Sequence, residues 1–480
     1  MNAPHVVVVG DAMLDRDVSG RVERLCPDAP APVLDVTATR QSPGGAGLAA
    51  LLCAASGARV TLLAPLADDD AGRALVDGLG RDVSVLPLGH EGATRTKTRV
   101  RAGGTSLARL DEGGPGRPTD VPVEEVAALL SGADAVLVSD YGAGTTAEPR
   151  LRALLAAAAR RVPVVWDPHP RGAPPVEGVR LATPNVAEAR AALLAEDDEH
   201  PDALALRLRH RWGVRAVVVT AGADGAYLAT GDTAAGFVPA PVVPDGDPCG
   251  AGDRFAAAAA VTLARGSLPS AAVMEAVEAA SAWVAAGGAD GFRRRAADGL
   301  AASASVEAGS VPGPGTHPHP VPPPEARDPQ DLVTLGERLR AGGRRLVATG
   351  GCFDLLHAGH VATLQAARRL GDALVVLLNS DASVRRLKGS GRPVVPDTDR
   401  ARVLGALDCV DAVVVFEEDD PRAALALLRP DVWAKGGDYD ADRLPEAEVV
   451  HAGGGRVVLL PYLDGHSTTG LLARAGAPVG

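Results

Sequence analysis

Cysteine, aromatic side chains and lysine are all scarce in this sequence. The five cysteines, Cys26, Cys53, Cys249, Cys352 and Cys409, are scattered without a C-x-x-C pair, which argues against a disulfide framework and against a zinc site. Aromatics supply 3% of residues against 46% hydrophobic overall, so the cores have to be assembled from Ala, Val and Leu. No uninterrupted apolar run approaches the roughly 20 residues of a membrane span. The chain opens on the strand-like Val6-Val7-Val8-Val9 with no charged leader and apolar segment before it. A cytoplasmic enzyme without a membrane partner is the expectation.

Only three of the 48 basic residues are lysine: Lys97, Lys388 and Lys435. A compact ammonium and a planar guanidinium are not interchangeable at a tight phosphate site, so these three positions are candidates for chemistry. The net charge of -12 disfavours non-specific nucleic-acid binding, and no nucleic-acid partner is expected. Phosphates can still be held by local cations and backbone N–H groups.

A chain of 480 residues exceeds one ordinary core and calls for two or three domains. Residues 306-330 include the run VPGPGTHPHPVPPPEARDPQ, a Pro-rich linker of extended character that divides the chain into 1-305 and 331-480. His317 and His319 in that linker carry metal spacing only by accident. Both halves alternate short apolar runs with Ala/Leu-rich stretches. Strands are expected at 6–9, 135–138, 162–166 and 216–220, and helices at 124–130, 151–160 and 271–286. In the second half strands are expected at 346–348, 374–378 and 412–416, and helices at 360–370 and 421–428. This pattern predicts α/β domains with parallel sheets covered on both faces. Ligands in such folds sit at the carboxyl ends of strands. Residues 99–104 and 107–111 predict a small β lid on the first domain.

In the second half, Gly350-Gly351-Cys352-Phe353-Asp354-Leu355-Leu356-His357-Ala358-Gly359-His360 follows a strand and enters a helix. Gly359 permits close backbone approach, and a helix N-terminus favours an anion. Two imidazoles beside it can donate to phosphate oxygens and carry partial positive charge. Asp354 is open to two roles, metal ligand or loop anchor. Lys388, in Arg385-Arg386-Leu387-Lys388-Gly389, and Lys435, in Lys435-Gly436-Gly437-Asp438-Tyr439, fall in loops after strands, and Ser467-Thr468-Thr469 opens a last helix. The His357-Ala358-Gly359-His360 segment resembles the H-x-G-H signature of the nucleotidyltransferase superfamily, which implies a Rossmann-like fold. By that resemblance His357, His360 and Lys388 are catalytic. Gly350, Phe353, Lys435, Ser467, Thr468 and Thr469 contact ATP or its phosphates. The chemistry is attack of a phosphate oxygen on an α-phosphorus with loss of pyrophosphate. Both partners are anions, so the protein has to neutralise charge and hold the groups in line.

In the first half, Gly250-Ala251-Gly252-Asp253 precedes an Ala-rich helix. Its N–H groups suit the charge on a transferring phosphoryl group, and Asp253 can accept the proton of an attacking hydroxyl. The same stretch is open to reading as a Gly-rich turn capped by Asp. The preceding Asp245-x-Asp247 pair is rejected as a phosphatase nucleophile, because Cys249 stands where Thr or Val is needed. Gly10-Asp11-Ala12-Met13-Leu14-Asp15, Pro43-Gly44-Gly45-Ala46-Gly47, Thr183-Pro184-Asn185-Val186-Ala187-Glu188 and 219–225 lie in the order and spacing of the ribokinase-like carbohydrate kinase family, which they resemble. The implied fold is an α/β/α sandwich with a small β lid. The resemblance makes Asp253 the base and Gly250, Ala251 and Gly252 the anion hole. It gives Asn185 and Glu188 to magnesium and ATP phosphates, and Asp15, Gly44 and Gly45 to the sugar. Lys97 is placed near the lid, either on a sugar phosphate or as a solvated strand lysine. No residue is expected to hold a resident metal; Mg2+ accompanies ATP.

A ribokinase-like domain followed by an H-x-G-H domain resembles the bifunctional heptose kinase–adenylyltransferase family. Cys26-Pro27-Asp28-Ala29-Pro30-Ala31-Pro32-Val33, Ser139-Asp140-Tyr141 and 379–389 fit it as well. The implied reactions are phosphorylation at O1 of D-glycero-β-D-manno-heptose 7-phosphate, then AMP transfer from ATP to heptose 1-phosphate, giving ADP-heptose. The resemblance also implies a separate phosphatase partner in the pathway and a homodimer through the kinase domain. Three positions depart from the family pattern: Leu48 in place of an Asn, Ala143 near an expected Lys, and His169 at another. The alternatives are an adenylyl- or cytidylyltransferase for another sugar or polyol phosphate, and a first domain that senses sugar phosphate without catalysis.

Overall fold

The computed structural model describes residues 3–460, apart from 104, 114–115, 233–234, 242–245, 298–324, 327–328 and 437–443. The chain forms two compact units, Met1–Thr230 with Ala240–Ala301, and Gly231–Pro239 with Ala302–Gly480. Most of the Pro-rich linker and all of Ser467, Thr468 and Thr469 lie outside the described residues.

The first unit is built on strands β1 (His5–Gly10), β4 (Arg59–Pro65), β5 (Val83–Leu88), β8 (Ala135–Ser139), β9 (Val164–Asp167), β10 (Leu181–Ala182), β11 (Val217–Thr220) and β12 (Gly225–Ala229). Their order is β5-β4-β1-β8-β9-β10-β11-β12, parallel except for the β11–β12 hairpin. Every residue of β1 and β8 is buried, as continuous Val/Leu/Ala runs require when helices cover both faces. The helices are α1 (Ala46–Ala55), α2 (Asp70–Leu79), α3 (Val123–Ser131), α4 (Pro149–Ala159), α5 (Val186–Leu193), α6 (Pro201–Trp212), α7 (Ala251–Ala264), α8 (Pro269–Ala285) and α9 (Gly288–Ala297). Helices α7 and α1 pack against each other, and the run Ala256–Ala260 is wholly buried. Alanine at successive positions lets backbones approach closely, which is how a core poor in aromatics still fills its volume.

The lid is larger than the hairpin read from the sequence. β6 (Thr96–Ala102) and β7 (Thr105–Glu112) are joined by two 14-residue strands, β2 (Ala12–Leu25) and β3 (Pro32–Gly45), in the order β3-β2-β6-β7. The motif stretches 10–15 and 43–47 are therefore the roots of lid strands, and Cys26–Ala31 is the mostly exposed turn at their far end. These long strands escaped detection because beyond Leu14 they leave the core. Their solvent-facing residues show no alternation for a buried face to impose.

The second unit contains β13 (Ala235–Pro239), β14 (Glu325–Ala326), β15 (Leu346–Gly351), β16 (Ala373–Asn379), β17 (Ala412–Phe416), β18 (Val432–Gly436) and β19 (Arg456–Leu460), ordered β14-β17-β16-β15-β18-β19-β13. All the pairings through β19 are parallel. Helices α10 (Pro329–Arg340), α11 (Ala358–Arg368), α12 (Asp381–Lys388), α13 (Asp397–Gly405), α14 (Arg422–Leu428) and α15 (Glu446–Ala452) accompany them. One core gathers Leu335, Leu346, Val375, Val414, Leu425 and Trp433. The parallel Rossmann-like sheet expected here is present.

Candidate active sites

Asp253 lies in the first turn of α7, beyond β8 and β9. Gly250 is the N-cap of that helix at φ 79°, a left-handed conformation that favours glycine. Its neighbour Cys249 is fixed by the Trp283 indole, which donates to the Cys249 carbonyl at 2.9 Å. The Ala251 N–H donates to the Pro248 carbonyl at 3.0 Å, so Ala251 does not offer the open donor that the sequence suggested. Gly252 comes next, where helix geometry leaves an N–H without an intrahelical partner. A Cβ built there meets nothing within 4 Å. That open space suits an anion at a helix N-terminus.

The Asp253 carboxyl is only 8% exposed. Burial pushes its pKa up to about 6, and the Tyr141 hydroxyl opposes that rise by donating to Oδ1 at 2.6 Å. Carboxylates crowd the same space. Asp167, at the end of β9, is held well above the usual carboxylate range by burial first and then by the Asp253 charge, with Glu188 and Asp140 adding to it. Asp140 itself is pushed up to about 6 by burial, against donors Thr146 Oγ1 and the Gly142 N–H. Asp11 is used structurally: its carboxylate accepts from the backbone N–H groups of Tyr141, Ala143 and Thr145, so Ala143 belongs to a tight turn around it.

Asn185 and Glu188 form a complete capping box at the start of α5. Glu188 N donates to Asn185 Oδ1 at 3.0 Å, and Asn185 N donates to Glu188 Oε2 at 2.9 Å. This pre-organises the N-terminus of α5 and places the Glu188 charge where both Asp167 and Asp253 feel it.

At the lid root the structure brings together Asp15, Gly44, Gly45 and Lys97. Asp15 pairs in register with Ser42 on one side and Lys97 on the other. A Cβ on Gly44 would sit 2.8 Å from the Asp15 carboxylate, so only glycine leaves that acid room. Gly45 at φ 58° lies against the Asp11 carbonyl and the Tyr141 ring. Lys97 is half-buried, and its pKa is lowered first by that burial, while Asp15 pulls it back up. Lys97 is thus a strand lysine that is only partly solvated. Arg293 of α9 and Arg99 of β6 were missed by sequence reasoning. Arg293 bonds Asp15 at 2.7 Å and Asp17 at 3.2 Å, and Arg99 approaches Asp15 at 3.5 Å. No motif links positions 15 and 293; only the fold does. Of the other departures, Leu48 is buried with its side chain close to Gly250, and His169 packs on Gly142.

In the second unit, Gly350 is the penultimate residue of β15, where a Cβ would strike the Trp433 ring at 2.7 Å, so this glycine serves packing of strand on strand. Phe353 and Leu355 adopt left-handed backbone, φ 43° and 55°, which costs of order 1–3 kcal/mol each. The residue between them holds the loop in that shape. The 2%-exposed Asp354 accepts from Arg392 Nε at 2.6 Å and from the N–H groups of Val394 and Val395, and these donors keep its pKa below the usual range although burial works upward. Of its two open roles, loop anchor is the one its contacts fill.

His357 is the N-cap of α11 in extended conformation. Its ring stacks on His360 at 3.8 Å between centroids, and Phe353 flanks His360 at 5.3 Å. Burial, then the neighbouring His357 and Lys388, press the His360 pKa down to about 4. Burial therefore favours the neutral form of this ring over the partial positive charge that the sequence reading allowed. Lys388 is the exposed last residue of α12, close enough for its charge to act on His360. Lys435 is the penultimate residue of β18 and is ion-paired to Glu446 at 2.9 Å, so that lone lysine is partly neutralised by its own fold. Arg400 escaped sequence reasoning because arginine is common here. Its 1%-exposed side chain reaches the carbonyls of Cys352, Asn379 and Val395 and the Asp381 carboxylate, tying the His loop to the ends of two neighbouring segments.

A buried acid at a helix N-terminus under a β lid, and paired imidazoles at the start of a helix in a parallel sheet, define a two-headed transferase. The first head is a sugar kinase and the second a nucleotidyltransferase. Residues 3–293 match the pfkB family carbohydrate kinases, and residues 348–456 match the cytidylyltransferase-like family. The chain is 52% identical over 98% of its length, and 96% of the relative's, to the bifunctional protein HldE of Streptomyces coelicolor. It is 37% identical to that of Pelobacter propionicus over 98% of this chain and 95% of that one. Phosphofructokinase-2 from Escherichia coli, a solved structure, gives a TM-score of 0.48 at 21% identity, covering 62% of this chain and 99% of that one. The chain belongs to the pfkB carbohydrate kinase family and, over its whole length, to the bifunctional HldE proteins.

Proposed function

We propose that the first unit transfers the γ-phosphoryl group of ATP to O1 of D-glycero-β-D-manno-heptose 7-phosphate, and that the second transfers AMP from ATP to heptose 1-phosphate, releasing pyrophosphate and ADP-heptose. The observation that carries the kinase assignment is the buried Asp253 at the start of α7, beside the open face of Gly252. With a pKa of about 6 it is ionised at neutral pH yet basic enough to take the O1 proton, the compromise general-base catalysis favours. The O1 oxygen attacks the γ-phosphorus, ADP leaves, and the proton passes to Asp253. Asp15 and the lid root are the sugar side; Asn185 and Glu188 are the nucleotide side.

Magnesium enters with the nucleotide. Among the described residues no group of three or more acidic, His or Cys side chains forms a ready metal cage. Asp253 and Glu188 instead raise the pKa of Asp167, and Glu188 raises that of Asp253, an excess of negative charge that a divalent ion would relieve. Mg2+ commonly binds through one or two carboxylates plus phosphates and water, and the Glu188 end of this group fits such an ion. It would supply charge neutralisation on the phosphates.

In the second unit His357, His360 and Lys388 face the phosphates of ATP, with the N-terminus of α11 completing the anion site. Neutral His360 donates a hydrogen bond without carrying a buried charge. Lys435 contacts phosphate by exchanging its Glu446 partner. Ser467, Thr468 and Thr469 are kept as phosphate contacts on the resemblance alone.

The kinase product is a 1,7-bisphosphate and the transferase substrate a 1-phosphate, so a separate phosphatase has to act between them. The exposed apolar side chains Val22, Leu25, Val36, Leu107 and Leu110 all lie on the lid, which favours a homodimer through the kinase lid. No helix among the described residues is long and apolar enough to cross a membrane; dependence on ATP in both units favours a cytoplasmic location. The test is incubation with ATP, Mg2+ and heptose 7-phosphate, with and without an added 7-phosphatase, and product masses. Bisphosphate alone without the phosphatase, and ADP-heptose with it, are expected. ADP-heptose formed only from supplied heptose 1-phosphate would reduce the first unit to a sensor.

A further inference from the structure

We propose that Tyr141 is a positioning residue of the kinase reaction: its hydroxyl clamps one oxygen of the Asp253 carboxylate so that the other is presented to the sugar hydroxyl. This rests on the reading of Asp253 as the base. Tyr141 stands after β8, where its N–H donates to Asp11 Oδ2 at 2.9 Å, and its hydroxyl donates to Asp253 Oδ1 at 2.6 Å. Its ring edge lies 3.5 Å from where a Cβ on Gly45 would stand, and Gly45 has none. The side chain therefore bridges the end of the central sheet, the lid root and the first turn of α7. A carboxylate that accepts from a rigid donor at one oxygen is fixed in orientation and favoured in its ionised, proton-accepting form.

The groups facing Asp253 make the clamp chemically necessary as well. Asp15 from β2 and Glu188 from α5 raise its proton affinity, as does burial; Lys97 from β6 and the Tyr141 hydroxyl lower it. Asp167 from β9 is crowded against it in turn. Lys97 is itself drawn down by burial. Tyr141 is held well above its ordinary pKa, by burial first and then by Asp253, so it remains a protonated donor throughout the working range. Without that donor the carboxylate keeps its repulsive neighbours and loses its nearest hydrogen bond.

The test is Tyr141→Phe in the full-length chain, with kinase rate measured from pH 5 to 9 alongside Asp253→Asn and nucleotidyl transfer. Loss of one hydrogen bond to a charged acceptor corresponds to a shift of about one pH unit or slightly more. The acid limb of the kinase profile is expected to move up by that amount. The rate at pH 7 should fall about twofold, as the ionised fraction of Asp253 drops from about nine-tenths to about half, and recover toward pH 9, with KM for ATP unchanged. If the variant does not fold, the chain with its four tyrosines replaced by 3-fluorotyrosine, a stronger donor, is expected to move the limb down. An unmoved limb in either protein, or a loss in Tyr141→Phe that is the same at every pH, overturns the clamp. Full kinase activity in Asp253→Asn sinks the base reading itself, and with it the proposal; an inert Asp253→Asn beside an unaffected Tyr141→Phe overturns the clamp alone.

Discussion

The group proposed to react in the first unit is a buried acid, Asp253; in the second it is a half-buried base, His360. Desolvation penalises whichever form is charged, so it drives the two pKa values in opposite directions, up to about 6 for Asp253 and down to about 4 for His360. The outcomes serve different chemistry. A kinase base has to accept a proton from a neutral hydroxyl, so a carboxylate made more basic is an advantage. A nucleotidyltransferase joins two anions with no proton to remove, and a neutral imidazole that donates to phosphate suffices. The supporting groups differ accordingly. Asp253 is surrounded by other carboxylates and one hydroxyl, whereas His360 stacks on a second imidazole near an exposed lysine.

The contrast breaks most sharply at Asp253. Asp253→Asn should reduce kinase turnover by roughly 10²- to 10⁴-fold, the span of general-base catalysis, and leave nucleotidyl transfer of the same chain untouched; a coupled assay on one preparation reads both. His360→Ala should do the reverse, lowering transfer roughly tenfold to 150-fold, as one hydrogen bond to a charged group implies, with kinase turnover preserved. Lys388→Ala is expected in the same range.

The pH profiles sharpen the comparison without any mutation. Asp253 acts only when ionised, so kinase activity should decline as pH falls through about 6. His360 acts neutral, so transfer should persist between pH 6 and 5. Coincident acid limbs would refute the assignment of opposite burial effects. A stability measurement is finer still. Because the folded pKa of Asp253 lies above its ordinary value, its contribution to stability is present at low pH and is lost as pH rises through about 6. Asp253→Asn should therefore raise the stability of the first unit at pH 7, by up to about 3 kcal/mol. The gain should vanish near pH 4, which paired thermal melts would show. In the second unit Arg400→Met should lower stability by about 1–3 kcal/mol, since it strips the donor from the carbonyls of Cys352, Asn379 and Val395 and from the partly exposed Asp381, and calorimetry would detect it.

Much of both sites was legible because their chemistry is local. Gly250 through Asp253 and His357 through His360 are contiguous, and a glycine-bearing turn before an Ala-rich helix needs no partner to be recognised. The lid was half legible: β6 and β7 carry turn signals, whereas β2 and β3 project into solvent and lose the alternation that a buried face imposes. Leu48 and His169, read as departures, gained concrete contacts from the fold at Gly250 and Gly142.

Composition and order along the chain determined that there are two α/β units, which motif belongs to each, and which rare lysines are candidates for phosphate contact. Tertiary structure alone decided that Tyr141 meets Asp253, that Arg293 meets Asp15, that Glu446 meets Lys435, and that Asp354 holds a loop. The reason is physical. Helical and strand periodicity are written in neighbouring residues, whereas desolvation and ion pairing depend on which distant segments the sheets bring to one place. Those two effects set the pKa directions of Asp253 and His360.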